Sequence, residues 1–401
     1  MICLFEDALA SNFSPVADTR HVAHLRVGAM NMRERALRAT GETRFVLHGR
    51  RYILNYYRET GLAVDRPAET TLFINARLPL TRGIVARLPS DEEWIATAGG
   101  AVMAARLREP TIARLDWGAD ALEFGQLGDV EHHEIEMEGV RAYEYLWDMI
   151  ADNGEMIARD FDEMDRTGAA VIFSGAHLLN HERIIIGGGS VLKPGVVIDA
   201  THGPVIIGSD VQVMANAVIE GPCFIGDHSV IKIGAKIYGQ SAIGRWCKVG
   251  GEVENSIILG YSNKQHDGFL GHSYLGRWVN LGADTNTSDL KNNYGMIRVT
   301  IGGREIGTGR MFLGALIGDH ARTGINTMLN TGSVIGVGAN VFGGGFPSKS
   351  IPPFAWGGFG GEERYRLDDA LAVAARVMAR RRVEFTTADE TLLRYLYGRA
   401  E

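Results

Sequence analysis

Two stretches concentrate the side chains suited to chemistry. One runs from Gly260 to Gly276 and holds Lys264, His266, Asp267, His272 and Tyr274; the other runs from Asp284 to Gly295 and holds Asn286, Asp289, Lys291, Asn293 and Tyr294. An imidazole with an ordinary pKa of about 6.5 is largely neutral at pH 7 and can take a proton from a nucleophile. His272, in Gly271-His272-Ser273-Tyr274-Leu275-Gly276, is the first choice for such a base; His266, beside an Asp267 that could orient its ring, is the second. Asn286 and Asn293 either contact a ligand or satisfy loop backbone groups. Lys291 is either a surface charge or faces a phosphate.

The elements that carry these groups are set by a repeat. Ile207, Val213, Ile219, Ile225, Ile231, Ile237, Ile243 and Val249 recur every six residues. Four residues after each stands a small or slim side chain: Val211, Ala217, Cys223, Ser229, Ala235, Ser241, Cys247 and Val253. Neither an α-helix nor an alternating strand has this period. It is the hexapeptide repeat of a parallel β-helix, in which three hexads make one triangular coil. Ile207, Ile225 and Ile243 should stack on a first wall, Val213, Ile231 and Val249 on a second, Ile219 and Ile237 on a third. The register returns at Ile317, Thr323, Leu329, Ile335 and Val341, and appears upstream at Ile186, Leu192 and Ile198 before slipping at Thr201-His202-Gly203. A β-helix over 183–356 follows, broken by the two polar stretches as insertions. Loops held on a rigid scaffold are where binding and catalytic groups tend to sit.

Residues 1–170 read differently. Met1–Phe5, Thr71–Ile74 and Ala169–Phe173 look like strands, and Arg141–Asp165 like a helix broken at Asn153-Gly154, so an α/β domain is expected, with the join beginning near Asp165–Thr167. Past Pro352-Pro353, a helix is expected over 361–383 and a shorter one over Thr387–Tyr397, in a C-terminal extension spanning 361–401. The net charge of −7 argues against general nucleic-acid or anionic-membrane binding. Three cysteines without a CxxC pattern imply neither a disulfide framework nor a metal site. With no signal-like N-terminus and no long apolar run, the expected location is cytoplasmic.

The segment Phe13 to Gly28 is similar to the opening of the sugar-phosphate nucleotidyltransferases: Pro15, Thr19-Arg20 and Val27-Gly28 sit where that layout places its conserved groups. The loop Glu6–Asn12 has no glycine, and Val22 stands where a lysine is expected. Arg20, Arg26, Asn75 and Arg77 are the nucleotide-binding candidates this resemblance implies, with Mg²⁺ as cofactor and no ligands assigned to it. Gly271–Gly276, Val279-Asn280 with Ala283, and Asn293-Tyr294-Gly295 resemble the acetyltransferase half of the GlmU family, in which a nucleotidyltransferase domain precedes a left-handed β-helix. The resemblance implies an α/β nucleotidyltransferase-like domain, a left-handed parallel β-helix and a C-terminal helix.

It further implies His272 as the base that deprotonates a sugar amine, and Asn280, Asn293, Tyr294 and Tyr274 around the sugar. Ala283 would lie along acetyl-CoA, Lys232 would stand in for a phosphate-gripping arginine, and Lys264 would replace a lysine lost at Ser256. The implied chemistry is acetyl transfer from acetyl-CoA to glucosamine 1-phosphate and uridylyl transfer from UTP to the product, giving UDP-N-acetylglucosamine, in a homotrimer. The alternatives are an enzyme keeping only one of the two activities and a non-catalytic protein that binds a UDP-sugar.

Overall fold

The computed structural model of the protein describes residues 1–89, 93–134, 141–164, 168–359 and 363–399. Its N-terminal sheet has six strands in the order Phe45–His48, Ile2–Phe5, Thr71–Asn75, Ala101–Leu107, Trp94–Ala98, Glu131–Glu134. The first three run parallel, and Ala101–Leu107 is antiparallel to both of its neighbours. The next helix, Met32–Thr40, opens on a capping box between Asn31 and Glu34 and closes on Gly41 at φ 72°, a left-handed position that glycine takes without strain.

The remainder is a parallel β-solenoid of about ten turns, with one wall nine strands long, from Ile184–Ile186 to Ser350–Ile351. The hexad stacking is as the sequence predicts. Ile207, Ile225 and Ile243 are in register, as are Val213, Ile231 and Val249, and Ile219 and Ile237. These aliphatics and the small residues between them are fully buried.

Several boundaries differ. Val171–Ile172 pairs with Val191–Leu192, so the run Ala169–Phe173 is the first rung of the solenoid rather than a strand of the N-terminal sheet, and pairing begins before 183. The Asp165–Thr167 join lies outside the described residues. The first polar stretch is not an insertion: Asn263–Lys264, Phe269–Gly271 and Tyr274–Leu275 continue the three walls. The coils there are shortened at their corners, which takes the sequence out of the hexad register. Val253, expected at a small-residue position, therefore pairs with Ile237 on the third wall. The second stretch begins on the coil, where Asn286–Thr287 pairs with Met328–Leu329. The true excursion follows it and contains the hairpin Arg298–Ile301/Arg304–Gly307.

The helix Leu146–Glu163 is continuous across Asn153-Gly154. That pair marks close packing, not a break. The buried Asn153 side chain accepts from Gly28 N at 2.8 Å and donates to Gln240 O at 2.7 Å, and a Cβ on Gly154 would lie 2.7 Å from Gln240 Cγ. The helix rests on the outer face of the first wall. There Ile206, Phe224, Ala242, Ile257, Tyr274 and Leu316 join one hydrophobic core with the N-terminal domain. Fully burying a large apolar side chain contributes about 1.5–3 kcal/mol, so this shared core fixes the two domains together. The C-terminal helices are Leu367–Ala379 and Thr387–Arg399, the first shorter than the expected 361–383. Among the described residues no helix is long and apolar enough to cross a membrane.

Candidate functional site

The corner between the third and first walls carries His272, held at φ 42°. Its Nδ1 lies 2.8 Å from Asp289 Oδ2, and its ring stacks on Phe312 with centroids 5.1 Å apart. The backbone fixes this corner on every side. His272 N donates to Glu254 O, Gly314 N donates to His272 O, and Leu313 N donates to Asp289 O. Gly271 is required here, because a Cβ would lie 2.2 Å from Asp289 Oδ2 and 2.5 Å from the Phe269 ring. A carboxylate accepts only, so Asp289 holds the ring proton on Nδ1 and leaves the Nε2 lone pair free to accept a proton. His272 and Asp289 are mostly buried but retain solvent contact, with side chains 18% and 14% exposed.

Among the described residues none of the other candidates hydrogen-bonds to His272. His266 is exposed, and Asp267 does not orient its ring; instead the carbonyls of both residues accept from Lys264 Nζ at 2.6 and 3.2 Å. Lys264 pairs with Val249 on the second wall, at an inward position of the coil, and is 2% exposed. Its amine is therefore turned to the corner carbonyls rather than outward to a phosphate. Burial lowers its pKa to about 8 against the opposing charges of Asp267 and Asp284. Ser256 is an interior corner residue, fully buried. Tyr274 is turned into the N-terminal domain, where its hydroxyl accepts from Arg26 N at 2.9 Å and donates to Arg26 O at 2.8 Å, so it does not share a site with His272. Asn280 bridges Asn263 and Arg322 on the second wall. Lys232 is half-buried, and Ala283 O accepts from Asn326 N. Asn293 satisfies the loop by accepting from Gly295 N at 3.0 Å, while Tyr294 is 65% exposed.

In the N-terminal domain the four nucleotide candidates separate into two pairs. Asn75 and Arg77 both close on Asp7, Asn75 Nδ2 at 2.9 Å and Arg77 Nε at 2.9 Å. Burial raises the Asp7 pKa, but the Arg77 hydrogen bonds and charge outweigh it and hold the carboxyl below its usual range. The loop after the first strand is thereby a short 3₁₀ helix, Ala8–Phe13, capped by Asp7. Arg20 and Arg26 instead line a cavity of about 400 Å³ between the N-terminal domain, the solenoid and the helix Thr387–Arg399. Arg20 donates to Asp319 of the solenoid and to Thr19 Oγ1. Arg26 donates to Ala29 O and lies over the Phe224 ring at 4.8 Å. The carboxylates nearest the loop are engaged, Glu6 by Arg50 and Asp7 by Arg77. As they stand they do not fit a Mg²⁺ site, and no group of three metal-ligating side chains occurs among the described residues.

The sequence reading gives Asp289 no role within its polar stretch and does not single out Phe312. The available signal was spacing: Asp289 follows His272 by 17 residues, about one coil, which in a solenoid places it alongside.

Residues 2–167 match the family model described as sugar nucleotidyl transferase. A stretch of 100 residues is 33% identical to a bifunctional sugar-1-phosphate nucleotidylyltransferase/acetyltransferase of Sulfurisphaera tokodaii, covering 25% of this chain and 25% of that protein. Another of 142 residues is 30% identical to the uncharacterized acetyltransferase YaiX of Escherichia coli, covering 35% of this chain and 62% of that one. Among solved structures, the UDP-N-acetylglucosamine acyltransferase of Campylobacter jejuni aligns over 57% of this chain and 95% of its own at 15% identity, with a TM-score of 0.28, too low to carry an argument. The nucleotidyl transferase match, the bifunctional relative and the hexapeptide solenoid that follows make the chain similar to the GlmU-like family, and the chain spans 25% and 62% of the lengths of these two relatives.

Proposed function

We propose that the solenoid transfers the acetyl group of acetyl-CoA to the amine of glucosamine 1-phosphate, with His272 as general base. The observation that carries this reading is the His272–Asp289 pair, 2.8 Å apart at a corner stacked against Phe312. The amine nitrogen attacks the thioester carbonyl, its proton passes to His272 Nε2, the C–S bond breaks, and the proton leaves with the CoA thiolate. A positioned base of this kind contributes roughly 10²–10⁴-fold. Among the described residues Lys232, Asn280, Ala283, Asn293 and Tyr294 make no hydrogen bond to His272. A homotrimer would let one subunit's His272 corner meet another's second wall, and the exposed apolar side chains of Ile325, Met328, Phe342, Met296 and Phe312 support such packing. The test is thiol release from acetyl-CoA with glucosamine 1-phosphate, comparing the native chain with His272→Ala, alongside the mass in solution. Native activity that survives the substitution would remove His272 from the mechanism and leave His266 as the next base to test.

For the N-terminal domain the family reading is uridylyl transfer from UTP to N-acetylglucosamine 1-phosphate with Mg²⁺. The closure of Asp7 on Arg77 and of Glu6 on Arg50 favours a second reading, in which this domain keeps the fold without that turnover. Pyrophosphate release from UTP separates the two readings, since only the first predicts it.

A further inference from the structure

The corner between the first and second walls carries a column of aromatic residues with left-handed backbone: His228, Trp246, Tyr261, Trp278 and His320, each with φ between 59° and 66°. Their rings pile along the solenoid, His228 on Trp246 at 4.5 Å, Tyr261 on Trp278 at 4.3 Å, and Trp278 by His320 at 6.2 Å. The residue before each ring forms a second column: Asp227, Arg245, Gly260, Arg277 and Asp319. Two arginines thus project from alternate coils with a glycine between them. The missing side chain at Gly260 leaves the room, and Arg245, Gly260 and Arg277 all line the 400 Å³ cavity.

The charges there do not balance. Asp319 is consumed by Arg20, by Thr19 Oγ1 and by Arg277 N. Asp389 is held by Tyr56 and Thr386, and Glu34 belongs to a capping box. Among the described residues Arg245 and Arg277 have no carboxylate in ion-pairing range, although Arg26 and Arg33 add two more cations to the same walls. Two side chains at least nine-tenths buried also present unpartnered nitrogens in the cavity lining, NH1 of Arg20 and Nδ1 of His320. Burial lowers the Arg277 pKa and the charge of Arg20 lowers it further, against Asp319. Uncompensated cations in a partly enclosed space are costly, and arginine forks match phosphate oxygens.

We infer that this three-way junction is a binding site for the phosphoryl group of a small organic phosphate, gripped by Arg245 and Arg277 from alternate coils and by Arg20 from the N-terminal domain. The cavity is of the size that such ligands occupy, roughly 300–1,000 Å³. The site is separate from the His272 corner and does not depend on acyl transfer there. It shares Arg20 and Arg26 with the nucleotide reading, but it requires no turnover.

The test is isothermal titration of the full chain with pyrophosphate, UDP and glucosamine 1-phosphate in turn, on the native protein and on Arg245→Ala and Arg277→Ala. At least one probe should bind once per chain and weaken about tenfold or more in each variant, since a charge-assisted hydrogen bond is worth an order of magnitude in affinity. Tightest binding of pyrophosphate assigns a bare phosphoryl site; preference for UDP or for the sugar phosphate assigns the rest of the cavity to a nucleoside or a sugar. Removing an unpaired cation should leave the ligand-free Tm unchanged or higher, and Arg277→Gln, which keeps hydrogen-bonding capacity without charge, should weaken binding while preserving the fold. Absence of binding by all three probes at millimolar concentration would overturn the inference, as would binding undiminished in both alanine variants.

Discussion

Asp289 Oδ2 and His272 Nδ1 are 2.8 Å apart although 17 residues separate them, because one coil of the solenoid lays the second polar stretch beside the first. If His272 is the base, Asp289 acts through it as a positioning residue. His272→Ala should lower kcat for acetyl transfer by roughly 10²–10⁴. Asp289→Asn should lower kcat less, with KM nearly unchanged, because it disturbs the ring's tautomer without touching substrate. Gly271→Ala should resemble Asp289→Asn, since its Cβ would push into Asp289 Oδ2. Steady-state kinetics of the three variants check this; an Asp289→Asn enzyme changed only in KM would count against the positioning role.

Asn153 joins the two domains through Gly28 N and Gln240 O. Asn153→Ala strands the buried Gly28 N and loses the half-buried hydrogen bond to Gln240 O, and a buried group left unpaired costs about 1–3 kcal/mol. Gly154→Val would force the helix Leu146–Glu163 off Gln240, at a similar cost from overpacking. Both should lower the urea midpoint of the whole chain. A two-step transition in either variant would show that the domains unfold separately once this contact is lost.

The solenoid was legible where period and burial coincide. From Ile207 to Val249 each inward position must be aliphatic to fill the axis, so the repeat writes the fold directly. Legibility ended where corners shorten: Lys264 pairs beside Val249 only because the coil there is shorter than the eighteen residues that separate Ile207 from Ile225. The covered face was readable in principle. Residues just before the inward aliphatics are uniformly apolar on the first wall, as at Ile206, Phe224 and Ala242, but mixed on the other two, where Gln212, Lys236 and Lys248 alternate with Val218 and Val230. Only a wall packed against something else needs apolar side chains on its outer surface. The pairing of Asp7 with Arg77 and of Arg20 with Asp319 was not readable, because neither sequence spacing nor local pattern determines which distant charges meet.

Glu6 is fully buried against Arg50. Burial raises its pKa, but the charges of Arg50 and His21 and the hydrogen bonds from Arg50 and Val22 outweigh it and hold the carboxyl at about 2. The unfolded value is about 4.3. A depressed folded pKa means the unfolded chain binds more protons in this interval, so the contribution is fully present above about pH 5 and lost as pH falls towards 2. Glu6→Gln should flatten the acid limb of a stability–pH curve and cost about 3 kcal/mol at pH 7, as Arg50 is left without its partner. Chemical denaturation at stepped pH reads both effects; an unchanged acid limb would assign acid sensitivity to other carboxylates.

Lys264 predicts a slope of the same sign in an alkaline window. Its amine occupies an inward coil position and donates to His266 O and Asp267 O, with its pKa lowered to about 8, mainly by burial. In the unfolded chain the value is about 10.4. Between these limits the unfolded chain holds the proton that the folded chain releases, so stability from this residue rises with pH, by roughly 3 kcal/mol at most. Lys264→Met keeps the length of the side chain and removes the titration. It leaves two corner carbonyls unpaired, so its absolute stability mixes two effects of opposite sign, whereas the pH slope isolates one. Urea midpoints at pH 7.5, 8.5 and 9.5 should climb more steeply in the native chain than in Lys264→Met. Parallel curves would mean that the native amine titrates as it does in water, and that the corner carbonyls fully compensate its burial.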